Sequence, residues 1–206
     1  MKRREALKSI TLSTGVVISA GSFFGLLQSC QEKDKISWIP QSFTTNEAIT
    51  VSELSNLIFP KDDLPGALDV NVPQFIDLLM KNVFKPEDGE RFKDGLKVFS
   101  SEFSKEYGSE FHEGSQEEQQ AFAEKMYNLS KPETEKVLKW VKEENTPPEK
   151  EDQKLMYHFL VTQRELTIQS YFTSEKVGEE ILSYDPIPGR QQGCVPVEEI
   201  GNVWSL

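Results

Sequence analysis

The chain has 206 residues, with 34 acidic against 23 basic side chains and a formal net charge of −11. An acidic balance of this size excludes binding to nucleic acid through a phosphate-neutralising patch, which needs clustered Lys and Arg. It likewise excludes electrostatic adhesion to an anionic membrane surface.

The N-terminus carries a message of its own. Met1 to Lys8 concentrate basic charge ahead of an uncharged stretch from Ser9 to Ser29, the layout of a secretory signal. Arg3 and Arg4, followed by Leu7 and Lys8, resemble a twin-arginine (Tat) export signal, and the Ser- and Gly-diluted apolar core that follows is typical of that route. Leu27-Gln28-Ser29-Cys30 resembles a lipobox, which implies cleavage before Cys30 and a lipid on its thiol. The competing reading is an uncleaved anchor helix over Ser9 to Leu27, close to the roughly 20 residues that span a bilayer. A lipid carrying more than one acyl chain tethers durably, since one chain alone is marginal. The expected partition is therefore a Tat-like lipoprotein signal over 1–29, a lipidated tether over 30–44 and a helical domain over 45–206. Removing residues 1–29 takes away Lys2, Arg3, Arg4, Lys8 and Glu5, a net +3, so the charge falls from −11 to −14. The domain is then exported and held at a membrane by lipid, on the periplasmic side or at the cell surface.

Past the tether, apolar residues recur at helical spacing almost throughout, which predicts an all-α domain of six to seven helices. A first helix over 46–59 carries Ile49, Leu54, Leu57 and Ile58 and ends at Pro60. A Pro-, Gly- and Asp-rich loop follows to Val72, because such a stretch cannot continue a helix. A second helix over 73–84 takes Pro73 in its first turn and offers Phe75, Ile76, Leu78, Leu79 and Val83 as an apolar stripe. The third, over 87–107, places Phe92, Leu96, Phe99, Phe103 and Tyr107 on one side and closes at Gly108. Ser115 with Glu118 and Ser130 with Glu133 fit capping boxes for helices over 116–128 and 131–144; Phe122, Met126, Val137, Leu138 and Val141 are their expected inward residues. Pro147-Pro148 separates these from a long helix over 149–171 with Leu155, Met156, Phe159, Leu160, Leu166 and Tyr171, and Ser174 opens a last short helix with Val177, Ile181 and Leu182. From Asp185 onward Pro186, Pro188, Gly189, Gly193 and Pro196 argue against helix, yet Ile187, Val195, Val197, Ile200, Val203 and Trp204 are too apolar for a disordered tail. This irregular Pro/Gly-containing tail requires a surface, either the domain's own helices or another protein.

Reactive groups are scarce. His112 and His158 stand in unrelated contexts without HxxxH or HExxH spacing, which predicts no metal site. Glu117-Glu118, Glu143-Glu144 and Glu149 to Asp152 read as solvated helix ends, and no Gly-rich phosphate loop, GxSxG or haem-attachment motif is present. The residues thus predict no catalytic, cofactor-binding or metal site. With Cys30 lipidated, Cys194 has no intrachain partner and is buried, paired to another chain, or reactive. The weight falls on binding.

Three stretches carry a resemblance. Leu57-Ile58-Phe59-Pro60, Leu64-Pro65-Gly66-Ala67 and Val72-Pro73-Gln74-Phe75-Ile76-Asp77 make up the first; Arg164-Glu165-Leu166-Thr167 through Gly178, centred on Tyr171-Phe172, the second; Tyr184 to Arg190 with Gly193-Cys194-Val195-Pro196 the third. In this order they resemble the signature of the small (third) subunit of gluconate 2-dehydrogenase. One departure is Pro60-Lys61-Asp62-Asp63, which lacks the Thr-Asp-Thr that often precedes the Pro-Gly pair there. The resemblance implies a cofactor-free, non-catalytic accessory subunit of a membrane-associated dehydrogenase of sugars or sugar acids. It also implies a large partner of the glucose-methanol-choline oxidoreductase type, which holds FAD and often passes electrons to a cytochrome c. The small subunit's leader would assist export or maturation of the folded, flavin-loaded partner. Pro65, Gly66, Tyr171, Phe172, Pro188, Gly189, Arg190, Cys194 and Trp204 are the candidate interface residues, the aromatic and Arg members being of types enriched at hot spots; the competing readings are that Tyr171 and Phe172 are core and that Pro188-Gly189 is a turn. The rival reading is a free-standing carbohydrate- or ligand-binding lipoprotein.

Overall fold

Capping and proline signals delimit the helices. In a computed structural model, which describes residues 36–142, 150–187, 189 and 193–205, helix α1 spans Thr45–Ile58 behind a complete capping box of Thr44 and Glu47. Helix α2 (Val72–Asn82) follows Asn71, whose left-handed φ of 57° turns the loop into the helix, and takes Pro73 in its first turn. Helix α3 (Pro86–Tyr107) begins on Pro86 and ends at Gly108, whose φ of 78° suits a residue without Cβ. A 3-10 turn, Phe111–Glu113, leads to α4 (Gln116–Tyr127), started by the Ser115–Glu118 capping box. Then come α5 (Lys131–Lys142), α6 (Glu151–Phe172), α7 (Glu175–Glu180) and α8 (Val197–Ile200). The described residues are all-α, as the periodicity predicts, and form one compact unit from Trp38 onward.

The antiparallel pair α3 and α6 is the axis of the fold. Gly95 lets them close: a Cβ there would stand 2.2 Å from the Leu155 carbonyl oxygen. Around this contact runs a continuous chain of aromatic rings. Phe43 stacks on Phe92, Phe92 meets Phe159 edge-on at 4.9 Å, and Phe159 touches Phe99. Phe99 and Phe103 in turn both enclose Phe111 and Phe122. Phe92, Phe99, Phe103, Phe111 and Phe159 are fully buried. Each contributes about 1.5–3 kcal/mol by burial, and each ring pair about 0.5–1.5 kcal/mol more, so this cluster dominates the stability of the domain.

Polar residues set the register of α1 on α6. The buried Gln163 amide donates to Ser55 Oγ at 3.0 Å and to Thr167 Oγ1 at 3.2 Å, and the two hydroxyls lie 3.3 Å apart. A second buried polar group governs the N-terminal approach. The Asp77 carboxylate, 1% exposed, accepts the backbone N–H groups of Gln41, Ser42 and Phe43 at 2.7, 2.9 and 2.9 Å. Lys93 donates to the Ser42 carbonyl at 2.5 Å and Lys81 to Gln41 Oε1 at 2.7 Å. Residues 41–43, which fall within the segment 30–44, are therefore held on the domain.

Four local expectations change. Along α2 the buried side is Val72, Ile76, Asp77 and Met80, whereas Phe75, Leu78 and Val83 are exposed, because Asp77 must face inward to meet the N-terminal strap and its position sets the rotation of the helix. Leu138, expected inward, is 42% exposed while Val137 takes the buried position. At Ser130 only half of a capping box forms: Glu133 accepts from both the Ser130 N–H and its hydroxyl. Ser174 occupies the N-cap of α7, but its hydroxyl donates back to the Tyr171 carbonyl at 2.7 Å.

Candidate partner interface

The loop between α1 and α2 is an ordered structure built on two residues. Phe59 O accepts from Ala67 N at 2.9 Å, and Gly66 lies so close beneath that a Cβ would stand 2.7 Å from Lys61 N and 3.0 Å from Phe59 O. Asp69 locks the turn, accepting from Gly66 N at 3.0 Å and from Lys61 Nζ at 2.9 Å. Those bonds, the Lys61 one first, hold the Asp69 carboxyl below its usual range, with Lys176 of α7 adding a more distant charge. Closing the loop in this way leaves Leu64 and Leu68 on the outside, 51% and 46% exposed.

The C-terminal end of α6 clamps this loop. The Tyr171 ring stacks on Phe59 at 4.2 Å and 12°, and its hydroxyl donates to the Pro65 carbonyl at 2.8 Å. Burial, and after it the charges of Asp62 and Asp69, raises the Tyr171 phenol above its ordinary value, so it stays a neutral donor. Phe172 meets both rings edge-on and remains 37% exposed. The first and second stretches singled out in the sequence thus meet in space.

The tail returns to the same end. Ser183 pairs with Trp204 in a parallel bridge, with Ser183 N donating to Val203 O at 2.8 Å and Ser205 N to Ser183 O at 2.9 Å. Asn202 Nδ2 donates to Ile181 O at 2.8 Å and Ser183 Oγ to Ile200 O at 2.6 Å. Ser205 sits over Gly178 of α7, 3.0 Å from where a Cβ would be. The expectation of no helix beyond Asp185 fails for one turn: Pro196 starts α8 and Gly201, with φ 81°, ends it. Apart from Val195 and Ile200, which are half-buried, the tail's apolar side chains are not spent on the domain. Tyr184, Ile187, Val197, Val203 and Trp204 are 48%, 83%, 79%, 70% and 55% exposed. Hydrogen bonds of the backbone and of the Ser183 and Asn202 side chains fix the tail's course while most of its greasy side chains face outward.

Of the sequence-nominated residues, Gly66 and Tyr171 are buried and Pro65 is half-buried with its carbonyl bonded to Tyr171; all three serve the domain's own packing. Phe172, Gly189, Cys194 and Trp204 are exposed, and the Cys194 thiol is free. Arg3, Arg4, Leu7 and Cys30 lie outside the described residues, as do Pro188 and Arg190. Leu64 and Leu68, in the α1–α2 loop, and Phe75 and Leu78, on α2, are exposed residues that helical periodicity could not single out, since it says nothing of a loop and counts an apolar side chain without knowing which way its helix is turned.

The family model for gluconate 2-dehydrogenase subunit 3 matches residues 45–189, the span from the start of α1 through both clamped stretches and into the tail. The chain belongs to the gluconate 2-dehydrogenase subunit 3 family. No curated protein and no solved structure matches it. Family membership is that of a dehydrogenase subunit, and in this subunit-3 chain no group of three or more His, Cys, Asp or Glu is placed to hold a metal among the described residues. His158 instead lies half-buried on α6, its Nδ1 without a partner, and burial followed by the Arg91 charge depresses its pKa. No helix of the described residues is long and apolar enough to cross a membrane.

Proposed function

We propose that this chain is the non-catalytic small subunit of a membrane-associated, FAD-dependent dehydrogenase of sugars or sugar acids. It docks a large flavin subunit of the glucose-methanol-choline type on the end formed by the α1–α2 loop, the end of α6 and the C-terminal tail. The observation that carries this reading is the tail: a segment whose backbone is pinned at Ser183 and Ile181 yet turns Val197, Val203 and Trp204 to solvent. Exposed apolar residues gathered on one ordered edge mark a protein-binding face. Trp204 and Phe172 supply the rigid aromatic area from which interface energy usually comes. The Tat-like leader would accompany the folded flavin subunit through export, and the lipid on Cys30 would hold the pair at the membrane.

Affinity purification of the tagged full chain from native membranes tests the reading. The expected product is a yellow complex containing a second, larger chain with bound flavin. Recovery of the chain alone and colourless would overturn it and favour the free-standing lipoprotein. In the same cells, Cys30→Ala should move the chain from the membrane fraction to the soluble fraction, and Lys at both Arg3 and Arg4 should block its export.

A further inference from the structure

Away from the tail's apolar side chains, a cleft of about 720 Å³ opens between the end of α1, the outer side of α4 and the middle of α6. Its volume lies within the roughly 300–1,000 Å³ span of small-molecule sites. Leu57, Ile58, Pro60 and Ala123 contribute the apolar part of its wall. The polar part is Asn56, Gln116, Gln120, Glu124, Asn128 and Arg164. Three features separate it from an ordinary surface hollow. The polar side chains come from three different helices, so the packing of the domain sets their spacing. Four of the six are carboxamides, each offering donors and an acceptor, and Asn56, Gln116 and Asn128 use neither in a hydrogen bond among the described residues. Arg164, exposed in a strongly acidic domain, forms no ion pair among the described residues; its charge registers only on the nearby Tyr127 phenol, which burial raises and Arg164 lowers.

The ligand follows from these groups. Adjacent hydroxyls both donate and accept, so side-chain amides match them, and Glu124 adds an acceptor already oriented by Gln120 at 2.8 Å. A guanidinium matches a carboxylate through two parallel N–H bonds, a geometry that favours a planar anion over a neutral hydroxyl. Glu124 repels that anion and so fixes its direction: carboxylate toward Arg164, hydroxyls toward α4. We propose that this cleft is a binding subsite for a small polyhydroxylated carboxylate, with Arg164 holding the carboxylate and the amides of α1 and α4 holding the hydroxyls. The site rests on the subunit reading only for its place beside an enzyme acting on such compounds; it would hold substrate or product close to the flavin subunit.

The test uses the detergent-solubilised full chain expressed without a partner and saturation-transfer NMR observed on the ligand. D-gluconate should receive saturation at millimolar concentration. D-glucose, with the hydroxyls but no carboxylate, should bind about tenfold more weakly, as the loss of a charged hydrogen-bonded pair implies. Arg164→Ala should cost a similar factor and Arg164→Lys less; Gln120→Ala should weaken binding with the carboxylate contact intact. Arg164 is exposed, so circular dichroism of its variants should match the parent. In the flavin-containing complex, equilibrium dialysis should show one gluconate site weakened about tenfold by Arg164→Ala. Absence of gluconate binding to the parent chain, equal binding by Arg164→Ala, or equal binding of glucose would each overturn the subsite. Flavin co-purification would be untouched by any of these results, so the two readings fail separately.

Discussion

The Tyr171 ring and hydroxyl make contributions that substitution can separate. Tyr171→Phe keeps the stack on Phe59 and loses only the bond to the Pro65 carbonyl, for an expected cost of about 1 kcal/mol. Tyr171→Ala also removes a buried ring and should cost about 3–5 kcal/mol. Denaturant unfolding followed by circular dichroism measures both, and equal losses would show that the hydroxyl bond carries the clamp. His158 makes a prediction about pH. Its folded pKa lies below the unfolded value of about 6.5, because burial and the Arg91 charge disfavour the imidazolium. Between the two values the unfolded chain binds more protons, so stability falls as pH drops from about 6.5 toward the folded pKa and levels off below it. His158→Gln should remove that part of the acid slope in pH-dependent melts.

At the scale of elements, the α3–α6 pairing turns on one atom that is missing. Gly95→Ala would gain up to about 1 kcal/mol of helix propensity, but its Cβ has the Leu155 carbonyl oxygen at 2.2 Å and a backbone group cannot swing aside. The helices must part, and overpacking of this kind costs typically about 1–3 kcal/mol, so a net loss of stability is expected and a higher melting temperature would refute the close approach. The Asp77 clamp is the other decisive element contact. Asp77→Asn keeps the shape but turns one acceptor into a donor facing backbone N–H groups; the expected loss is about 2–3 kcal/mol, the value of hydrogen bonds to a charged group. Because the strap joins the domain to whatever precedes residue 36, the loss should show first as faster hydrogen exchange at Gln41, Ser42 and Phe43, ahead of any global change.

For the molecule as a whole, the middle and the C-terminal end of α6 do different work. Phe159 belongs to the aromatic core that also holds Phe92 and Phe43, while Tyr171 sits at the C-terminal end against the α1–α2 loop; twelve helical steps separate them, roughly 18 Å at 1.5 Å per residue. The N-terminal strap is held by α2 and α3 through Asp77, Lys93 and Phe92, and the tail by the Ser183 bridge and by Gly178 of α7. Trp204→Ala should leave stability within about 0.5 kcal/mol, since the Ser183 bridge is made by backbone atoms and the indole is exposed. It should lower retention of the flavin subunit at least tenfold, the effect of losing a Trp anchor. Unchanged retention in a pull-down would place the interface elsewhere.

The sequence by itself determined the helices before the tail, the start at Ser115 and the aromatic stripe of α3, because capping and 3.6-residue periodicity are local properties written in neighbouring residues. It also singled out Tyr171 and Gly66 as candidates for a partner surface, with the core as the competing reading for Tyr171; the fold buries both. Only the tertiary structure decided that Asp77 turns α2 so that Phe75 and Leu78 face out, and that Tyr171 reaches back over one hundred residues to Pro65. It alone decided that the tail is tied down by hydrogen bonds of its backbone and of Ser183 and Asn202 rather than by its apolar side chains. The physical reason is common to all three: an apolar side chain is equally at home in a core or an interface, and which it enters depends on where distant hydrogen-bonding groups fix the element that carries it.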